Sequence, residues 1–245
     1  MRLNKFLSEA GICSRREADR LIKSKKVTVN GSVAIVGMQI EESDDICVKG
    51  KPVKKENAEV LLLFNKPRGI VCTAEKREKN NVIDYINYQT RIYPIGRLDK
   101  ESEGLLLMTN QGDLVNKIMR AGNFHEKEYT VKVNKKITKN FLTHMSEGVP
   151  ILDTVTRACK VRKIDEYTFT IILTQGLNRQ IRRMCEYLNY EVVALRRERV
   201  MNFKLGNLKR GEHRLATAEE TKELNESLKD STSLSFKERA NKENT

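Results

Sequence analysis

Residues 92–110 read IYPIGRLDKESEGLLLMTN. Two apolar runs flank a charged interruption in which Arg97 and Asp99 stand two positions apart. Short apolar runs bounded by turn residues are the pattern of buried strands, and a plain hairpin would join them through Asn-Gly or Asp-Gly. A loop that instead carries Arg, Asp, Lys and Glu is the kind of segment in which a rigid scaffold holds binding or catalytic groups. Taken alone, Asp99 is ambiguous, because a carboxylate between Arg97 and Lys100 is ordinarily a surface ion pair of little value.

Working outward, strand patterns recur at 59–65, 69–73, 91–95, 127–133, 158–164 and 167–174. Helical patterns lie between and after them at 112–121, 138–148, 178–189 and 217–228, the last opening with a capping box from Thr217 to Glu220. The order is neither a regular βαβ alternation nor a repeat array. It predicts an α+β domain over 59–229 with a mixed, largely antiparallel sheet. Residues 230–245 are mostly polar and predict a disordered tail.

The N-terminal residues have a different character. Leu3, Phe6, Leu7 and Ala10 share one helical face, Ser14 and Glu17 open a second helix with a capping box, and KKVTVNGSVAIVG (25–37) is a hairpin turning at Asn30-Gly31. Two short helices and a hairpin make a unit of about 50 residues (1–50), followed by KPVKKENA, read as a linker over 51–58. Its exposed side is basic: Arg2, Lys5, Arg15, Arg16, Arg20 and Lys23.

Charge agrees with a polyanionic partner. The 245 residues carry a formal net charge of +13, spread along the chain, and neutralising phosphates releases their condensed counterions. Five scattered cysteines and three isolated histidines suggest a reducing cytoplasm, no disulfide framework and no metal. The longest apolar runs, VLLLF and LLLM, are far too short to span a bilayer, and the N-terminus lacks a signal-peptide core. No phosphate-binding glycine loop or dinucleotide fingerprint occurs, so no cofactor is expected.

Two further segments could carry chemistry. In QGLNRQIRRMCE (175–186) a helix opening at Asn178 would put Arg179, Arg182 and Arg183 on one face, with Ile181, Met184 and Cys185 on the other. Such a face attracts phosphate or carboxylate, or is simply solvated. In HEKEYTV, Tyr129 enters a strand, where tyrosines are ordinarily core or cross-strand partners.

The combination of segments is more telling than any one. RLNKFLSEAGICSRREADRLIKSKKVTVNG resembles the alpha-L RNA-binding module, the small domain first described in a small-subunit ribosomal protein. GRLDKESEGLLLMTN, with NKPRG at 65–69, KEYTV at 127–131 and GLNRQIRRM at 176–184, resembles the RsuA-like pseudouridine synthases of ribosomal RNA. The wording of GLNRQIRRMCEYLNYEV and AGNFHEKEYTV is most similar to the RluF branch, which acts on large-subunit rRNA. Most relatives carry an acid and a threonine where this chain has Lys100-Glu101-Ser102.

The resemblance implies isomerisation of uridine to pseudouridine in rRNA by a cytoplasmic monomer. Asp99 would be the catalytic carboxylate and Arg182 its partner. Tyr129 would stack on the target uracil, near the proton lost from carbon-5. Arg97 would approach the RNA backbone or fill the gap in the base stack, and Leu173 would pack on the base. Lys66, Asn178 and Arg179, within the matching motifs, would bind substrate. The target base would leave its stack for a closed pocket. A tRNA or small-subunit rRNA target is an alternative within the family. A non-catalytic RNA-binding assembly factor would leave Asp99 and Tyr129 without a role. A glycoside hydrolase would need a second carboxylate, and none stands out.

Overall fold

A computed structural model describes residues 1–54, 59–75 and 77–231. The remainder of the segment read as linker, and nearly all of the expected tail, lie outside the described residues.

The first unit begins with α1 (Leu3–Glu9) and α2 (Arg15–Lys23), followed by β1 (Val27–Val29), β2 (Ser32–Val33), β3 (Ile46–Val48) and β4 (Lys51–Pro52). The Ser14 hydroxyl accepts from the Glu17 amide at 3.2 Å and caps α2. Glu17 does not complete the expected capping box, because its carboxylate turns to Arg20 at 2.9 Å. Asn30 and Gly31 both have positive φ (50° and 78°), as the tightest hairpin turn demands. The second arm of this hairpin is shorter than its apolar pattern suggested. It ends at Val33, where its pairing with β1 stops, and Ile35 and Val36 are exposed; β3 takes the other edge of β1 in a sheet ordered β2-β1-β3-β4. Strand β4 also uses the first residues of the expected linker. Leu3, Leu7, Ala18, Ile22, Val27 and Ile46 form the core of this unit. This compact unit extends to Val60 and includes Gln89–Arg91 and Asn110–Gly112.

The second unit is built on β5 (Leu61–Lys66), α3 (Val82–Ile86), β6 (Tyr93–Ile95), β7 (Glu103–Thr109), α4 (Gly112–Met119), β8 (Lys127–Val133), α5 (Lys139–Glu147), β9 (Pro150–Ile151), β10 (Thr154–Val155), β11 (Lys160–Lys163), β12 (Thr168–Leu173), α6 (Gln180–Tyr187), β13 (Val192–Val200), β14 (Phe203–Lys204), β15 (His213–Leu215) and α7 (Ala218–Ser227). Its main sheet has nine strands, ordered β11-β12-β8-β13-β7-β5-β15, with β6 on β7 and β14 on β13. Every pairing is antiparallel except β13 with β7. The mixed, largely antiparallel α+β architecture is therefore as expected.

That parallel seam divides the unit into two cores. On one side, Phe141 and Met145 of α5 and Ile181 and Met184 of α6 pack on Val131, Phe169 and Ile171. On the other, Ile118 of α4 and Leu224 of α7 pack on Leu63, Leu105, Leu107 and Phe203. At the seam Gly104 lies opposite Arg197 with φ 102°, and a Cβ there would stand 2.4 Å from the Arg197 carbonyl oxygen. Only glycine permits both that backbone conformation and so close an approach.

Other parts of the second unit also differ from the sequence reading. The 69–73 segment is no strand; only Val71 bridges to Asn81. The short helix α3, capped by Asn81, was not anticipated. Neither was β13, the longest strand, whose VVALRRERV looks too charged for the middle of a sheet. Among the described residues no helix is long and apolar enough to cross a membrane.

Candidate active site

Asp99 sits in the loop between β6 and β7, and the loop is braced from several directions. The Ser102 amide donates to the Asp99 carbonyl at 3.0 Å, closing a turn, and the Gly69 amide donates to Lys100 at 2.8 Å. Arg68 Nε donates to the Glu101 carbonyl at 3.1 Å while its Nη2 reaches the Val193 carbonyl at 2.6 Å. The 65–69 motif thus holds the loop through Arg68 and Gly69.

Lys66, expected to bind substrate, does not line the cleft. It is fully buried, and its ammonium donates to the Pro67 carbonyl at 2.9 Å. Burial pushes its pKa down, against the opposing pull of Cys72, Glu101, Asp99 and Glu103.

Two arginines face the carboxylate. Asp99 Oδ2 lies 3.7 Å from Arg182 Nε and 3.9 Å from Arg179 Nη1. These are charge contacts, longer than hydrogen bonds. The Asp99 side chain is 33% exposed, Arg182 only 14%. The carboxylate therefore sits at the mouth of its pocket, less buried than expected, with its main cation behind it. Arg182 is anchored at 3.3 Å to the Val192 carbonyl, 3.4 Å to Glu101 O and 3.3 Å to the buried Ser102 hydroxyl. Burial, then Arg179, push its pKa down, while Asp99 pulls the other way.

The arginine helix starts later than its periodicity suggested. Arg179 is the residue before α6, in left-handed conformation (φ 50°), and the Gln180 side-chain oxygen accepts from the Leu177 amide at 3.1 Å to close the turn. Arg183 does not share a face with Arg179 and Arg182 toward the carboxylate; its Nε turns back to the Asn178 carbonyl at 3.1 Å.

The cleft in front of Asp99 has a volume of about 530 Å³. Arg97, Asp99, Tyr129, Leu173, Asn178 and Arg179 line it, together with Arg182. Of the expected residues in this unit, only Lys66 is left out. Arg97 and Asn178 are exposed at the rim, Tyr129 is half-buried and Leu173 is buried. The lining residues that were not anticipated include the polar side chains of Gln175, Lys127 and Arg197. Lys127 is visible in KEYTV, two places before Tyr129, so strand alternation puts both on one face. Among the described residues no three His, Cys, Asp or Glu side chains gather as a metal-ligating group.

In the N-terminal unit, Arg2, Arg15, Arg16, Arg20 and Lys23 are exposed, while Lys5 is half-buried and lies 3.7 Å from Glu9.

A family model described as RNA pseudouridylate synthase matches residues 60–187, which hold Asp99, Tyr129, Arg179 and Arg182, and an S4 domain model matches residues 1–46. The chain belongs to the RNA pseudouridine synthase family. The synthase is 52% identical over 235 residues to the Escherichia coli K12 protein named dual-specificity RNA pseudouridine synthase RluF, covering 95% of this chain and 81% of that one. It is 38% identical to the Bacillus subtilis ribosomal large subunit pseudouridine synthase B, covering 91% and 95%. A solved structure of a pseudouridylate synthase superposes with a TM-score of 0.67 at 27% identity, covering 91% of this synthase and 99% of that chain. The α+β fold agrees with that solved structure.

Proposed function

We propose that this synthase isomerises a uridine in structured large-subunit ribosomal RNA, with Asp99 as the catalytic carboxylate. The observation that carries the reading is the carboxylate at a cleft mouth, held by Arg182 and Arg179, with Tyr129 and Leu173 in the same cavity. A flipped nucleotide entering there meets the Tyr129 ring and the apolar Leu173 wall, and presents its ribose to Asp99. Isomerisation gains and loses no atoms, so the residues have only to orient, polarise and move protons.

The naming of relatives for the large ribosomal subunit, and for dual specificity, supports rRNA as target and makes a second RNA class a direct question. Mapping pseudouridines in RNA from cells with and without the gene answers it. One or more large-subunit sites should vanish with the gene. Loss confined to small-subunit rRNA or to tRNA would overturn the target.

Two expected results follow from the placement of side chains. Tyr129→Phe keeps the stacking face and loses the hydroxyl, so single-turnover tritium release from carbon-5-labelled RNA should drop about 10²-fold. Affinity should stay within about twofold. Equal losses in binding and turnover would make Tyr129 a recognition residue.

In the S4 unit, the triple change Arg15→Gln, Arg16→Gln, Lys23→Gln removes three exposed cations. RNA affinity should fall, and the slope of log affinity against log salt should become shallower by roughly 0.7 per lost phosphate contact. The rate at saturating RNA should be preserved. An unchanged salt slope would remove this face from the RNA interface.

A further inference from the structure

The cleft contains a feature that the Asp99 chemistry leaves unused. Arg197 is 2% exposed, Lys127 4%. Arg197 Nε donates to the Leu105 carbonyl at 2.7 Å, yet its Nη2 is buried with no hydrogen-bond partner. Lys127 Nζ donates to the His125 carbonyl at 3.1 Å. Its pKa is pushed down to about 8, by burial first and then by Arg197. A guanidinium and an ammonium buried beside each other are costly unless something anionic shares the site.

Their position is set by strand register. Arg197 of β13 pairs directly with Tyr129 of β8, so both side chains rise from the same face of the sheet. Lys127, two residues along β8, joins them. All three line the cleft. Among the described residues five buried side-chain polar atoms lack hydrogen-bond partners, and three of them, Gln175 Nε2, Arg197 Nη2 and the Arg182 Nε that faces Asp99 at 3.7 Å, belong to residues that line this cavity. All three are donors. A site whose Gln175 and Arg197 donors are still unmet, beside the Arg182 already committed to Asp99, suits a ligand that presents acceptors and gains negative charge as it reacts.

We infer that Arg197 and Lys127 are catalytic residues that stabilise the uracil anion released when the glycosidic bond breaks. The inference rests on the reading that the cleft takes the flipped uridine. When the N1–C1′ bond breaks, its electron pair stays with the base, and the charge spreads over N1 and the two carbonyl oxygens. C1′ is left electron-deficient, and Asp99 either bonds to it or takes the proton from C2′. The base turns and C5 bonds to C1′, as the ester bond breaks or the C2′ proton returns. C5 then loses its proton and N1 takes one up, so atoms and electrons balance. Neutral, attached uracil gains little from the two cations; the detached anion gains much. That difference acts on the rate.

The test compares target-site RNA containing uridine with the same RNA containing 5-fluorouridine, using the full chain in single turnover at saturating enzyme. Conversion is read as disappearance of the starting nucleoside from digests. Fluorine withdraws charge from the departing base, so it substitutes in part for the cations. Arg197→Met should slow uridine conversion by about 10²–10³-fold, with RNA affinity within about twofold of the parent. On the fluorinated RNA its deficit should shrink at least about tenfold. Arg197→Lys, which retains the charge, should recover most of the rate. Lys127→Met should show the same substrate dependence, and it decides the matter should Arg197→Met fail to fold.

Equal deficits on both RNAs, or a parental rate in Arg197→Met, would overturn the inference. Asp99→Asn is the control. Parental turnover by that variant would overturn the underlying reading of the cleft, a result separable from either outcome at Arg197.

Discussion

Asp99→Asn is expected to lower isomerisation by on the order of 10⁴-fold or more, the scale on which loss of a nucleophile or of its activating group is felt. The substitution is nearly isosteric and removes only the charge. The cost to folding should be small. Asp99 is a third exposed, and its two arginine contacts, at 3.7 and 3.9 Å, are too long for hydrogen bonds. Loose, partly solvated pairs of this kind contribute about 1 kcal/mol or less. Arg182 also retains its anchors on Val192, Glu101 and Ser102 when the carboxylate is gone. Tritium release, RNA affinity and a thermal melt on the same preparation separate the effects. Turnover within a few-fold of the parent would remove Asp99 from the chemistry, whatever the melt shows.

Arg182→Ala should be the most damaging change when rate and stability are taken together. The side chain touches β13 through Val192, the Asp99 loop through Glu101 and Ser102, and the carboxylate itself. Hydrogen bonds that involve a charged group contribute about 1.5–3 kcal/mol each at best. These bonds, at 3.3–3.4 Å, are at the long end, so a combined loss of roughly 2–3 kcal/mol is expected. The rate should fall by about 10²–10³-fold because the loop no longer holds Asp99 in one place. The stability loss comes from the carbonyl and hydroxyl contacts more than from a stranded carboxylate, since Asp99 is solvated and keeps Arg179. Arg182→Lys is the informative companion. It restores a charge near Asp99, but an ammonium cannot span Val192, Glu101 and Ser102 as a planar fork does. The lysine variant should therefore remain well below the parent in both rate and melting temperature. Full recovery by lysine would reduce Arg182 to a point charge.

Elements with a local chemical signature were legible in the sequence. The Asn30-Gly31 turn, the Ser14 cap and the Thr217–Glu220 capping box all lie where residue chemistry placed them. So do the alternating strand of Tyr129 and the amphipathic helix after Thr138. Strand β13 was not legible, because Arg196, Arg197, Glu198 and Arg199 look like solvent-facing charge. It is stabilised in the sheet by partners from distant parts of the chain. Arg197 reaches Leu105, and Arg199 pairs with Glu126 at 2.8 Å and Glu128 at 3.0 Å. No window of sequence contains those contacts.

The site divided in the same way. Asp99, Tyr129 and the arginines stood in motifs, and the structure brings them to one cleft. Lys66 stood in a motif as well, but its neighbour Arg68 makes the contacts with the loop. Lys127 and Arg197 went unread because buried cations are rare enough that charge in a sequence is ordinarily assigned to the surface.

The parallel seam between β7 and β13 also orders events in time. Arg197 and its acceptor Leu105 are 92 residues apart, and Arg182 is 80 residues from the Ser102 hydroxyl that receives it. Pairings of such separation form slowly, since the loop-closure entropy is lost before the contacts reward it. During synthesis at about 5–20 residues per second, several seconds pass between emergence of the Asp99 loop and of the strand that completes its surroundings. Over that interval the carboxylate lacks Arg182, Arg197 and half of its sheet. Catalytic competence is therefore a late event in the life of the chain, gained when β13 docks, and a protein stalled before that step would carry an S4 unit without an active enzyme behind it.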